Sequence, residues 1–236
     1  MGPTAVHYIP IFTTLVAAAF AAAVLGRYRE RGGLHLLWWG IGLITYGLGT
    51  FTEAFTTLFG WQEGVFRAWY ITGALLGGAP LAQGTVYLLQ RRPVANRLTV
   101  ALVSLITAAS VCVLLSPIDP ALVEGHRLTG RVFEWQWVRA FSPFINLYAA
   151  IFLIGGAIVS ALRYWRRGDS GPRAAGNALI ALGALLPGIG GSFTRFGHVE
   201  VLYVTEFIGL LLIFAGYRLN TGAAALRRTE SLVTSH

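Results

Sequence analysis

Two stretches of this chain resemble each other: Arg27-Tyr28-Arg29-Glu30-Arg31-Gly32-Gly33 and Arg163-Tyr164-Trp165-Arg166-Arg167-Gly168-Asp169. Each follows a long apolar run with a proline near its start, Pro10 in the first run and Pro143 in the second. An apolar run of about 20 residues that ends in basic side chains is typical of a membrane-spanning helix. The two stretches therefore predict two equivalent transmembrane helices.

Further matches follow in the same order along the chain. Gly-Thr-Phe-Thr-Glu at residues 49–53 corresponds to Gly-Ser-Phe-Thr-Arg at residues 191–195, and Tyr70-Ile71-Thr72 corresponds to Tyr203-Val204-Thr205. Each match is short, but the shared order indicates a duplicated three-helix unit, an arrangement found in membrane transporters. The matched frame sets Glu53 against Arg195, which suggests an ion pair between equivalent positions.

Composition places the chain among membrane proteins. Apolar residues make up 55% of it and charged residues 12%, about half of the roughly 25% typical of soluble domains. All 18 basic side chains are arginines, so a retinal pigment bound through a lysine Schiff base is excluded. Cys112 is the single cysteine, which excludes an intrachain disulfide. We predict no cofactor, no metal site and no catalytic residue set.

We predict an all-α membrane protein in which residues 1–236 form one transmembrane domain of two parallel three-helix repeats joined by a linker helix. The first unit covers residues 1–97, the linker helix 98–117, the second unit 138–218 and a cytoplasmic tail 219–236. The seven predicted helices are about 8–26, 34–59, 66–90, 98–117, 138–162, 176–196 and 201–218.

The arginines set the predicted orientation in the cell membrane. Thirteen of the 18 fall on one side of the predicted bundle, which the positive-inside rule makes cytoplasmic, with the N-terminus outside and the C-terminus inside. Because they flank apolar segments, the net charge of +8 does not indicate nucleic-acid binding. The thirteen are Arg27, Arg29, Arg31, Arg91, Arg92, Arg97, Arg163, Arg166, Arg167, Arg173, Arg218, Arg227 and Arg228.

This order of three helices, one linker and three helices resembles the SWEET and PQ-loop transporters and, in broad architecture, the microbial rhodopsins. Pro10 and Pro143 are consistent with the matched prolines of SWEET-like units. The resemblance implies a seven-helix fold, and the internal duplication places the expected site at the seam between the two units. The Pro-Gln dipeptide and the retinal-binding lysine of these families are absent, and no site residue is transferred from them.

Polar and charged side chains on apolar helices are the candidate functional residues, because such groups are costly in a membrane and usually paired or functional. Breaks in transmembrane helices often line a site as well. The alternatives are a structural brace for the charged residues and close packing of small residues for the breaks. Ligand or proton-pathway candidates are Glu53, Arg67, Tyr70, Arg139, Asn146, Arg195, Tyr203 and Glu206, and helix-break candidates are Gly78, Pro80, Pro187 and Gly188.

The functional prediction is a multi-pass protein that binds an unknown small molecule in an outward-facing cavity between the units and acts as a transporter. One alternative is a seven-helix sensor or receptor that signals through a separate partner. Another is a non-catalytic subunit of a larger membrane complex, and a homo-oligomer also stays open. The lipid bilayer is the expected surrounding partner.

Overall fold

The computed structural model describes residues 4–125, 127–166, 171–194 and 196–233, with side chains up to residue 222. The fold is all-α. A short 3-10 turn, Ala5–Tyr8, precedes the first helix. The α-helices in chain order are α1 Ile9–Arg31, α2 Leu34–Phe59, α3 Glu63–Trp69, α4 Ala79–Leu89, α5 Arg92–Leu115, α6 Phe141–Ala149, α7 Gly156–Arg166, α8 Pro172–Thr194 and α9 Val199–Val233.

Among the described residues, five helical segments are long and apolar enough to cross a membrane: Ala5–Arg31, Arg92–Leu115, Gln136–Arg166, Pro172–Thr194 and Val199–Gly222. Large apolar side chains point outward along them, including Phe12 at 59%, Val100 at 67% and Phe144 at 67% exposure. Such a surface fits a lipid environment and not water. These features support a membrane protein.

The other two predicted spans differ from the five for physical reasons. α2 has 26 residues, enough to span, but glycines and threonines interrupt its apolar character. The hydroxyls of Thr52 and Thr56 donate to carbonyls of their own helix, those of Gly49 and Thr52. The segment predicted at 66–90 is divided, because α3 and α4 are separated by a π-helical segment, Tyr70–Leu75, and a bend at 76–78.

Several predicted boundaries need correction. α5 begins at Arg92 because Pro93 suits a first helical turn, and it ends at Leu115, before Pro117. α8 continues through Pro187, where the sequence predicted a break. The backbone of α9 remains helical to Val233, through most of the predicted tail at 219–236. A second π-helical segment, Ala150–Gly155, joins α6 to α7.

The helices form a ring around a central space. Neighbouring pairs are α1 with α2, α2 with α4, α4 with α6 and the 150–155 segment, α7 with α8, α8 with α9, and α9 with α1. α5 lies outside the ring against α4, α6 and the 70–75 segment. We call the end with the 118–137 connection the loop-rich end, and the end with Arg27–Arg31, Arg91 and Arg163 the arginine-rich end.

Glycines bring α8 and α9 into close contact. A Cβ atom at Gly183 would lie 2.5 Å from the Gly209 carbonyl oxygen, and one at Gly209 would lie 2.5 Å from the Gly183 carbonyl oxygen. Two helical turns away along both helices, Gly176 and Gly216 pack in the same way, each facing the carbonyl oxygen of the other. Glycines seven residues apart on each helix therefore let the backbones of α8 and α9 pack directly against each other, and we call this pair of helices the shared wall.

Candidate functional site

A cavity of about 620 Å³ occupies the ring toward the loop-rich end. We call it the acid cavity. It extends from residues 128–131 of the long connection to Leu81, Leu153 and Ile213 in the middle of the bundle. Its volume falls within the roughly 300–1,000 Å³ typical of small-molecule sites.

Two acidic side chains meet in this cavity. Glu53 on α2 is only 3% exposed, and its Oε1 accepts a hydrogen bond of 3.0 Å from Trp69 Nε1. Its carboxyl group lies beside that of Glu206 on α9. Two carboxyl groups at neighbouring positions disfavour a negative charge on both at once.

The acid pair also has unused acceptor capacity. Within the described part of the chain, Oε2 of Glu53 and Oε2 of Glu206 are buried and receive no hydrogen bond from a donor. A buried carboxylate oxygen without a donor is costly, because it has lost water and gained nothing in return. N–H groups are the kind of partner that these two oxygens lack within the described structure.

Local packing fixes the position of the pair. The Tyr46 hydroxyl donates to the backbone oxygen of Glu206 at 3.0 Å, which ties α2 to α9 across the ring. Gly49 lets α2 approach the π-helical segment closely, since a Cβ there would lie 3.0 Å from the Gly73 Cα. This approach brings Trp69 within reach of Glu53.

The break after the 70–75 segment supplies polar backbone atoms to the cavity wall. The Ser142 hydroxyl donates to the Ala74 carbonyl oxygen at 3.1 Å, and Asn146 Nδ2 donates to the Ser142 hydroxyl at 3.1 Å. π-helical segments change the hydrogen-bonding register of a helix and are frequent at functional sites. Here the altered register leaves the Ala74 carbonyl oxygen available to Ser142, which links α6 to the 70–75 segment beside the cavity.

Two arginines line the mouth of the cavity. Arg131 lies in the connection, and Arg139 follows it at the start of the fifth predicted span. Arg139 Nη1 donates to Gln136 Oε1 at 2.6 Å, and its side chain lies beside Gly130. The cavity therefore combines guanidinium groups at its mouth with a carboxyl pair deeper inside.

Most of the predicted site residues line this cavity, namely Glu53, Tyr70, Arg139, Asn146, Glu206, Gly78, Pro187 and Gly188. Others lie elsewhere. Arg67 forms an ion pair of 2.7 Å with Glu63 and donates to the carbonyl oxygens of Val113 and Ser116, so it fastens α3 to the end of α5.

Tyr203 is 2% exposed and packs edge-on against His7, with ring centroids 5.9 Å apart. Pro80 is buried in the first turn of α4 and does not line the cavity. Arg195 lies outside the described residues, as does its predicted pairing with Glu53.

Sequence reasoning missed Trp69, the donor to Glu53. Its indole follows Glu53 by 16 residues on another helix, so no local pattern links the two. The only signal was the neighbouring candidate Tyr70.

A second cavity of about 560 Å³ lies at the arginine-rich end. We call it the basic cavity, because Arg27, His35, Arg163 and Arg173 line it. The two cavities meet at three apolar side chains that line both, Leu81 on α4, Leu153 on the 150–155 segment and Ile213 on α9. We call these three residues the septum.

No protein family, no curated protein and no solved structure matches this chain. The resemblance to SWEET, PQ-loop and rhodopsin-like proteins therefore rests on helix order alone. Functional inference depends on the geometry of the two cavities.

Proposed function

We propose that this chain is a multi-pass membrane transporter that binds a small molecule carrying a protonated amine in the acid cavity. The observation that carries this proposal is the pair of Glu53 and Glu206, which line a cavity of about 620 Å³ and each have a buried Oε2 without a hydrogen-bond donor in the described structure. An ammonium group offers three N–H donors and one positive charge, which suits a pair of carboxyl groups.

The mouth narrows the choice of ligand. Arg131 and Arg139 place positive charge where a ligand enters, which disfavours molecules with several positive charges. A molecule that also carries a carboxylate can direct its ammonium group inward and its carboxylate toward the arginines. The best match is therefore a small zwitterion.

Transport follows in this proposal from the arrangement of the cavities. The two cavities lie on either side of the septum, and Leu81, Leu153 and Ile213 line both of them, so together they can serve as two halves of one route. Altered helical register at 70–75 and 150–155 lies beside this route, and transporters commonly place interrupted helices there. Small shifts of these segments would open one half and close the other.

The finer architecture is part of the proposal: seven spans in two parallel units, residues 1–97 and 138–218, with the arginine-rich end in the cytoplasm. The ring order supports it. The contacts of α1 with α2, α2 with α4 and α4 with α6 have counterparts in α7 with α8, α8 with α9 and α9 with α1. The external position of α5 suits a linker helix.

The test uses four probes with four carbon atoms each: butylamine, 4-aminobutanoate, butanoate and butanol. Binding to the purified protein is measured by calorimetry, and uptake is measured in proteoliposomes. We expect 4-aminobutanoate to bind at least as tightly as butylamine, and the other two to bind far more weakly.

The E53Q/E206Q variant replaces both carboxyl groups with amides of the same shape. It should weaken amine binding about 10- to 100-fold, since a hydrogen bond to a charged group contributes about 1.5–3 kcal/mol. Equal binding of butanoate, or no binding and no flux for any probe, would contradict the proposal.

A sensor is the second candidate function, and the length of α9 favours it. This helix has 35 residues and so spans about 52 Å, well beyond a hydrocarbon core of about 30 Å. It carries Glu206 in the acid cavity and continues past the arginine-rich end. Truncation after Thr221 separates the two functions: transport stays intact in a transporter, whereas a sensor keeps ligand binding and loses its co-purifying partner.

A further inference from the structure

The basic cavity is lined by two kinds of surface. Apolar side chains form its inner part, among them Phe20, Val24 and Leu43, and the septum closes it. Its outer part holds Arg27, His35, Arg163 and Arg173. A cavity with an apolar interior and a cationic rim matches an amphiphile with an anionic head.

The positive charge at the rim is not neutralised within the described part of the chain. No acidic residue lines the cavity there, and the described ion pairs involve other residues. Arg27 lies near the Tyr217 hydroxyl, and the guanidinium carbon of Arg173 lies 5.8 Å from the centre of the Tyr164 ring. Neither neighbour cancels the charge of a guanidinium group, so these arginines can pair with an anion.

We infer that the basic cavity binds the headgroup of an anionic phospholipid, with an acyl chain against its apolar wall. Guanidinium groups recognise phosphate oxygens through paired N–H donors, and basic pockets between transmembrane helices are common sites for acidic lipids. The three arginines come from α1, α7 and α8, so one headgroup would join three parts of the ring. This site lies across the septum from the acid cavity, in the arginine-rich half of the proposed route, and its ligand is not the transported molecule, so the lipid has to leave or shift before that molecule can pass.

The experiment compares lipids on the full-length protein, purified and stripped of lipid in mild detergent. Phosphatidylglycerol or phosphatidylcholine is added in mixed micelles, binding is counted by native mass spectrometry, and the thermal midpoint is recorded. We expect one tightly bound phosphatidylglycerol and a raised midpoint, with a much smaller response to phosphatidylcholine. Inorganic phosphate is the third probe, and it should bind weakly because it lacks the apolar chain.

Matched variants assign the effect to the cavity. R163Q/R173Q should weaken phosphatidylglycerol binding about 30-fold, from about fivefold for each arginine near a lipid headgroup. R91Q/R92Q is the control, because these exposed arginines at the same end do not line the cavity and the charge change is equal. R163K/R173K keeps the charge and should retain most of the binding.

Three outcomes would overturn the inference. Equal losses in R163Q/R173Q and R91Q/R92Q would mean that the general charge of this end attracts the lipid. An equal response to phosphatidylcholine would remove the role of the anionic head, and an equal response to inorganic phosphate would remove the role of the chain. Butylamine binding in the acid cavity is measured on the same samples, so a misfolded variant is recognised by the loss of both.

Discussion

The acid cavity and the basic cavity lie in one ring of helices and share three side chains, yet they are built in different ways. In the acid cavity the charged groups are buried and held by neighbours: Trp69 donates to Glu53, and Tyr46 ties the backbone at Glu206. In the basic cavity the charges stand at the rim, where Arg163 is exposed and Arg27 and Arg173 are half-buried.

This difference teaches where selectivity arises in each cavity. Groups fixed before binding discriminate by geometry, because a ligand with wrongly placed donors leaves buried oxygens unsatisfied. Charges on long, solvated side chains distinguish ligands mainly by the sign of the ligand's charge, and salt weakens this attraction. The acid cavity should therefore select among small molecules, whereas the basic cavity should accept many anionic headgroups.

The largest expected effect comes from the wall that both cavities share. G183A places a Cβ 2.5 Å from the Gly209 carbonyl oxygen, so α8 and α9 must move apart. We expect a loss of about 3 kcal/mol, since overpacking against backbone has no flexible side chain to yield. The thermal midpoint should fall by roughly 5–10 °C, and binding to both cavities should weaken.

The matched control for this wall is G188A on the same helix. A Cβ at Gly188 meets nothing within 4 Å, so its midpoint should stay near that of the wild type. If the two variants were equally stable, the glycines would not set the α8–α9 spacing, and the two cavities would not depend on a common wall.

A smaller effect is expected when only the acid cavity is disturbed. W69F removes the hydrogen-bond donor to Glu53 Oε1. Within the described structure, the other oxygen of this carboxyl group, Oε2, has no donor either. We expect a stability loss of about 1–3 kcal/mol and weaker amine binding, because an unsatisfied buried acceptor is costly. The thermal midpoint and calorimetric titration with butylamine measure the two effects.

W165F is the control, since Trp165 is 68% exposed at the arginine-rich end. It should change neither the midpoint nor amine binding. Phosphatidylglycerol binding should survive W69F, and a loss as large as that of amine binding would show that the two cavities are coupled more closely than their separate linings suggest.

The sequence predicted the helices and the acidic residues for reasons that are local. Long apolar runs of about 20 residues indicate spans directly, and an acidic residue such as Glu53 or Glu206 is conspicuous on an apolar helix. The helical break near Gly78 was also readable from its glycines and Pro80. These features depend on neighbours along the chain.

What the sequence did not reveal depends on neighbours in space. The π-helical register at 70–75 and 150–155 has no local signature here, and the contact between Glu53 and Glu206 joins helices that are far apart in the chain. The basic cavity was missed because the positive-inside rule accounts for each of its arginines separately, so nothing in the sequence indicated that they lie around one cavity. The seven-residue spacing of Gly176, Gly183 and Gly190 was readable, and it is the one signal that would have indicated the α8–α9 contact.

The smallest change that tests the comparison is at the septum. L153A removes three carbon atoms from a half-buried side chain that lines both cavities, so its cost in stability should be about 1 kcal/mol. Leu147, on the adjoining helix α6, is 58% exposed, and L147A is therefore a matched control that leaves the septum intact.

Flux in proteoliposomes gives the decisive measurement for the septum. If the cavities are two halves of one route, L153A should raise passive movement of 4-aminobutanoate down its gradient by about tenfold, while L147A should not. The leak should fall again in L153A/E206Q, because the amine still has to pass the acid pair. If the passive flux through L153A equals that through L147A, the septum is not the barrier between the two cavities. The acid cavity would then be a receptor site that ends in the middle of the bundle.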